Sequence, residues 1–136
     1  MPVLSNRSAS KGAVLCLLLC LRSSAVFAQH NNANSLDWQG EYSGVVPCDD
    51  CPGIELTLRL DDDLSYQIKR LYIGENNISF VEEGDFRWLA NGSRIVLMDS
   101  PTPNTYLVQE NRLVVLNSEG NRIVGEQADH YILEKQ

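Results

Sequence analysis

The chain has 136 residues, 18 of them acidic against 11 basic, for a formal net charge of −7. That balance disfavours nucleic acid and anionic lipid surfaces as partners, because it forgoes the counterion release that drives such binding. It fits cationic ligands, or simply the solubility of an acidic surface.

Residues 1–28 read as a secretory signal peptide. Arg7 and Lys11 give a basic start, Gly12 to Leu21 an apolar run, and Val26-Phe27-Ala28 a cleavage signature with Val at −3 and Ala at −1. The run is about ten residues, short of the roughly 20 that a bilayer-crossing helix needs, and no second stretch of spanning length follows. Cys16 and Cys20 fall inside this segment. Lipoprotein processing wants small residues before the acylated cysteine, whereas Cys20 follows Leu17-Leu18-Leu19 and Cys16 follows Ala13-Val14-Leu15. The expectation is cleavage after Ala28 and export, with lipid anchoring the poorer fit. Three of the basic residues and none of the acidic ones lie before that cut. The remaining 108 residues carry 8 basic and 18 acidic side chains, a net charge of −10. They suffice for one domain around one core.

Residues 29–36, polar and Asn-rich over Gln29–Ser35, read as a flexible lead, and residues 37–136 as the domain. Trp38, Gly40, Tyr42, Gly44 and Val46 alternate onto one face, and the two glycines suggest a tightly curved strand. Cys48-Asp49-Asp50-Cys51 follows, framed by Pro47, Pro52 and Gly53, before Ile54–Leu60 alternates as a strand. Asp61-Asp62-Asp63 lacks the spaced oxygens and glycine of a calcium loop, so it reads as a solvated turn into Tyr66–Tyr72. Gly74–Asn77 is another turn. Phe80–Trp88 is a strand in which Glu82-Glu83-Gly84 predicts a bulge. Asn91-Gly92, between Phe86–Leu89 and Arg94–Leu97, is the strongest hairpin signal. Pro101 and Pro103 mark a loop. Thr105–Val108 and Arg112–Leu116 form a hairpin around Glu110-Asn111, Arg122–Val124 a further short strand, and His130–Leu133 the closing strand. After the signal segment, no apolar spacing keeps a helical period over a helix length. The expected fold is all-β: an antiparallel meander of roughly eight strands, closed into a small barrel that leaves no exposed edges.

Two thiols two residues apart can close a disulfide, share a soft metal ion such as Cu(I), or exchange with other disulfides. Asp49 and Asp50 work against a reactive thiolate. A redox-catalytic pair would also open a helix, whose N-terminal partial positive charge stabilises the thiolate, and here a strand follows instead. The sequence shows no Ser–His–acid or Cys–His set, no phosphate loop and no carboxylate pair that spacing would unite. No catalytic residue is expected. A structural disulfide of an oxidising compartment and a redox- or metal-responsive switch both stay open. The bridge would contribute roughly 2 kcal/mol by chain entropy for so short a loop. A structural zinc site wants four N or S ligands, and only His30 and His130 could join the two cysteines. Trp38, Tyr42, Phe86, Trp88 and Tyr131 either line a ligand cavity or fill the interior of a small barrel.

The string from Trp38 to Ile54 resembles the N-terminal domain of the NlpE (CutF) family. The family signature is a Trp–Gly–Tyr–Gly strand, Pro-Cys-x-x-Cys-Pro-Gly-Ile and an alternating strand. Here it is matched by Trp38, Gly40, Tyr42 and Gly44, then Pro47, Cys48, Cys51, Pro52, Gly53 and Ile54. A bare Cys-x-x-Cys is weak, but the longer string is specific, and the similarity runs from about Trp38 to Leu133. It includes Gly84, Phe86 and Trp88, and the closing Tyr131 and Leu133. The resemblance implies a lipocalin-like barrel of the bacterial periplasm, linked to copper resistance and envelope stress. Cys48 and Cys51 would be its disulfide or its redox and metal pair, with Cu(I) as the metal and envelope proteins as partners. The best-known members are lipid-anchored and carry a second, C-terminal domain, and neither is read here. The expected function is non-enzymatic copper or redox homeostasis, or envelope-stress sensing, through the Cys-x-x-Cys loop. The alternative is a small barrel that carries an apolar ligand, with the cysteine pair purely structural.

Overall fold

The computed structural model describes residues 32–74 and 76–136. The signal segment read over 1–28 and the first residues of the lead lie outside them. The eight strands are β1 (Gly40–Val46), β2 (Gly53–Leu60), β3 (Ser65–Ile73), β4 (Ile78–Trp88), β5 (Arg94–Leu97), β6 (Thr105–Gln109), β7 (Arg112–Val115) and β8 (Ile132–Lys135). Each pairs antiparallel with the next. β8 returns to β1 through Tyr42↔Lys135 and Ser43↔Glu134, which closes the meander into a barrel. The all-β barrel expected from the sequence is the fold observed.

The period of two explains the strands. In β2 the side chains of Leu56, Leu58 and Leu60 are buried inside while Glu55 and Arg59 stand in solvent. β3 continues with Tyr66 and Ile68 inward. Successive side chains of a strand point to opposite faces, so one register commits the whole apolar set to the interior.

The end at which β1 begins is filled. Trp38 meets Phe86 edge-on at 5.7 Å between ring centroids and Trp88 at 5.6 Å. The Tyr42 hydroxyl donates to the Trp38 carbonyl at 2.7 Å. A one-turn helix, α1 (Asn32–Ser35), sits over this end, its Ala33 N–H donating to the Gly92 carbonyl and its Ala33 carbonyl accepting from Trp38 Nε1–H. Leu36 packs against the core beside it. Four of the five aromatics that the sequence offers for a cavity or a core thus form core at this end.

Local details differ from expectation. Glu82-Glu83-Gly84 makes no bulge: the β3–β4 register runs unbroken from Ser65↔Asp85 to Tyr72↔Ile78. Gly84 instead leaves room for Tyr66, since a Cβ there would lie 3.0 Å from Tyr66 Cε1 and 3.1 Å from its hydroxyl. Arg122–Val124 contributes only the isolated bridge Leu116↔Arg122, and Val124 is 87% exposed. Three residues of which only Ile123 is half-buried gain too little to pair as a strand. The last strand starts later than expected, because Ala128–His130 forms a 3-10 turn before Ile132. At Asn91-Gly92 the turn is longer than two residues: Gly92 N–H donates to the Leu89 carbonyl, Leu89 N–H to the Arg94 carbonyl, and Gly92 takes the positive φ.

Candidate functional site: the cysteine loop and the open mouth

At the opposite end, the β1–β2 connection carries the motif. Cys48 and Cys51 are joined by a disulfide, with Cα atoms 5.3 Å apart. Both are half-buried, while Asp49 and Asp50 between them are exposed. The loop is short because β1 and β2 stay paired up to Val46↔Ile54. Gly53 lets it close: a Cβ there would lie 2.7 Å from Val45 Cγ1. Cys51 Sγ lies 3.3 Å from the Gly53 carbonyl oxygen. A bridged sulfur has no hydrogen to give, so this becomes a hydrogen bond only once the pair is reduced. β2 follows the loop, and no helix begins at either cysteine.

His130 is brought close by the fold. From its 3-10 turn it lines one groove with Pro47, Cys48 and Pro52. The sequence reading named it as a histidine that could join the two cysteines but placed it at a strand start; Cys48 lies 82 positions away in the chain and only barrel closure unites them. Among the described residues no three His, Cys, Asp or Glu side chains converge as a preformed metal cluster. The residues fit a soft monovalent ion only after reduction, when two thiolates and a nearby imidazole become available. His30, the other histidine considered, lies outside the described residues.

Beside the loop the barrel interior is open. A cavity of about 410 Å³ is walled by Val46, Ile54, Leu56, Tyr72, Phe80 and Pro101–Pro103, with Arg70, Glu82 and Tyr106 also lining it. Arg70 Nη1 pairs with Glu82 Oε1, and Arg70 Nη2 donates to Ser100 Oγ at 3.1 Å. The Tyr106 hydroxyl is fully buried and has no hydrogen-bond partner among the described residues. Burial pushes its pKa up to about 12, against the lowering pull of Arg70. Val46, Ile54, Thr102 and Pro103 belong both to this cavity and to the cleft beside Cys48 and Asp49. Of the aromatics weighed as cavity lining, Tyr131 alone faces this end, in that neighbouring cleft. Tyr72, Phe80 and Tyr106 line the cavity instead. A signal for the polar pair was present: Arg70 falls in the inward phase of Tyr66, Ile68 and Tyr72, where a charge needs a partner.

A closed antiparallel meander, plugged at one end and carrying a disulfide-clamped β1–β2 loop beside an open interior at the other, defines a small cysteine-loop barrel. Residues 42–126 match the family described as NlpE N-terminal domain, and the chain belongs to that family. Lipoprotein NlpE of Escherichia coli (strain K12) is 35% identical over 96 residues, which cover 68% of this chain and 39% of that protein. This chain therefore spans well under half of that relative. A crystal structure of a Shewanella oneidensis protein assigned as a lipoprotein superposes with a TM-score of 0.74 at 46% identity, covering 80% of this chain and 98% of that one. The crystal structure of the Cpx pathway activator NlpE from Escherichia coli superposes with a TM-score of 0.53 at 33% identity, covering 64% of this chain and 46% of that one.

Proposed function

We propose that this chain is a non-enzymatic, exported module of the bacterial envelope that responds to copper or redox state through Cys48 and Cys51. Its site is periplasmic, reached by cleavage of residues 1–28, and its partners are Cu(I) and other envelope proteins. Family membership and the likeness to a Cpx pathway activator support this reading. The observation that carries it is the bridged Cys48–Cys51 pair on an acidic, helix-free loop with His130 in the adjoining groove. Oxidised, the pair offers no thiolate. Reduction frees two soft ligands beside one imidazole, so copper uptake and thiol state become one variable.

Two measurements test it. The exported protein should show no free thiol until reductant is added. The reduced protein should then bind one Cu(I) against a competing chelator, with binding abolished in Cys48→Ser/Cys51→Ser and weakened in His130→Ala. Unchanged copper affinity in the double serine variant would remove the metal branch, and two free thiols before reduction would remove the redox one.

A further inference from the structure

β5 pairs with β4 only through Phe86–Trp88, so the first part of β4 presents a strand edge on that side. Which backbone groups it presents follows from two hydrogen bonds. Phe86 N–H donates to the Leu64 carbonyl, on the β3 side, while the Asp85 carbonyl accepts from Met98 N–H, on the other. These directions alternate along an antiparallel strand. The N–H and C=O of Ile78, Phe80, Glu82 and Gly84 therefore face β3, and those of Ser79, Val81 and Glu83 point away from it. Among the described residues no strand takes these three up.

An open edge is ordinarily blunted by lysine, proline, a bulge or an unpaired inward charge. Residues 78–84 contain neither lysine nor proline, and their register against β3 is unbroken. Both carboxylates are taken up on β3, Glu82 by Arg70 and Glu83 by Gln67 at 2.8 Å. Ile78, Phe80 and Val81 are each more than half exposed. Free backbone groups beside a wet apolar run suit the addition of another strand.

The segment is complementary to itself. A two-fold axis through Val81 sets Val81 against Val81, Ser79 against Glu83, Phe80 against Glu82 and Ile78 against Gly84. Every free N–H and C=O then has a partner, no acid meets an acid, and Gly84 leaves the opposing Ile78 room. A shift of two residues one way sets Glu82 against Glu82, and the other way leaves Glu83 without a strand partner. The acidic surface further off counts for less, since charges more than about 8 Å apart are screened at physiological ionic strength. We propose that the Ile78–Gly84 edge of β4 binds a second copy of this chain, giving an isologous dimer in which the two β3–β4 sheets run on into each other about Val81. The cysteine pair plays no part in it, so the copper and thiol measurements neither support nor harm it.

Sedimentation velocity of the purified chain, disulfide intact, tests it between roughly 1 and roughly 500 µM. A reversible monomer–dimer equilibrium should appear, with a dissociation constant of roughly 10 to 100 µM for a contact of one strand edge. The amides of Ser79, Val81 and Glu83 should exchange fast in the dilute monomer and be protected in the concentrated dimer. Val81→Lys sets two ammonium groups against each other on the axis and should weaken the dimer by about tenfold or more. Ser79→Glu sets an acid against Glu83 on both sides of the axis and should weaken it roughly two- to thirtyfold. Adding Glu83→Lys to that variant makes both pairs opposite in charge and should restore the parental affinity. Ser79 and Glu83 are exposed, so these two variants should melt with the parent and decide the matter even where Val81→Lys does not fold. A monomer at every concentration overturns the dimer. A dimer indifferent to Val81→Lys and Ser79→Glu overturns β4 as its seat. A dimer that Ser79→Glu weakens and Glu83→Lys fails to restore overturns the axis through Val81.

Discussion

Tyr66 needs the space that Gly84 leaves, and its hydroxyl donates to the Met98 carbonyl at 3.0 Å on the far side. Gly84→Ala should therefore push the ring and strain that bond, lowering stability by about 1–3 kcal/mol as overpacking of a core does. Combining it with Tyr66→Leu should recover part of the loss, and chemical denaturation of the four variants measures the coupling. The glycine stands out in the sequence, but its reason does not. A glycine inside a strand pattern signals either a bulge or a close approach, and only the partner strand decides which. The cysteine pair was readable for the opposite reason: its partner is three residues away. Arg70 announces itself as a charge in an apolar phase, yet Glu82 and Ser100, which neutralise and hold it, come from other elements.

β4 has 11 residues and β5 only 4, and the two pair only through Phe86–Trp88. Among the described residues, Ile78–Gly84 therefore pair on the β3 side alone, the Asp85 carbonyl still accepting from Met98 N–H, and the cavity opens where β5 fails to continue. Amide hydrogen exchange should show this as an alternation along residues 78–84: amides aimed at β3 protected, those aimed at the free side exchanging fast. Uniform protection there would mean that the gap is filled. The strands with a full apolar face, β2 and β3, were plain from their period of two. Less regular segments were not. In Arg122–Val124 only Ile123 is half-buried while Val124 stands in solvent, and the 3-10 turn at Ala128–His130 has no buried residue to reveal it. Asp61-Asp62-Asp63 did declare itself as a turn, and there the Ser65 hydroxyl holds the Asp63 carboxyl below the usual carboxylate range.

The barrel as a whole is held by one interior that contains three buried phenols, those of Tyr42, Tyr66 and Tyr106. Burial pushes Tyr42 up to about 12, with Asp37 adding to the shift, and Tyr106 up to about 12. In the unfolded chain both titrate near their ordinary value of about 10. Above that value the unfolded state sheds protons that the folded state keeps, so the stability these groups contribute is complete below pH 10. It is lost as pH rises toward 12, at about 1.4 kcal/mol per pH unit for each tyrosine. Alkaline unfolding followed by tyrosinate absorbance should run over that window, and Tyr106→Phe should flatten it. Closure itself could be anticipated, since eight short strands in a meander gain by hiding their edges. Which end stays open could not. It depends on Trp38, Phe86 and Trp88, from different parts of the chain, meeting at one rim.

That rim is also where the backbone path comes in and goes out. Lys135 Nζ donates to the Asp37 carbonyl at 2.6 Å, and Gln136 N–H to the Glu41 carbonyl at 2.8 Å. β1 then carries the chain the full height of the barrel before the bridged loop turns it back. A label joined at the first described residues or at Gln136 is thereby seated at the base. The sulfurs and the hollow beside them then stand at the far pole, presented outward like the head of a lamp on its post.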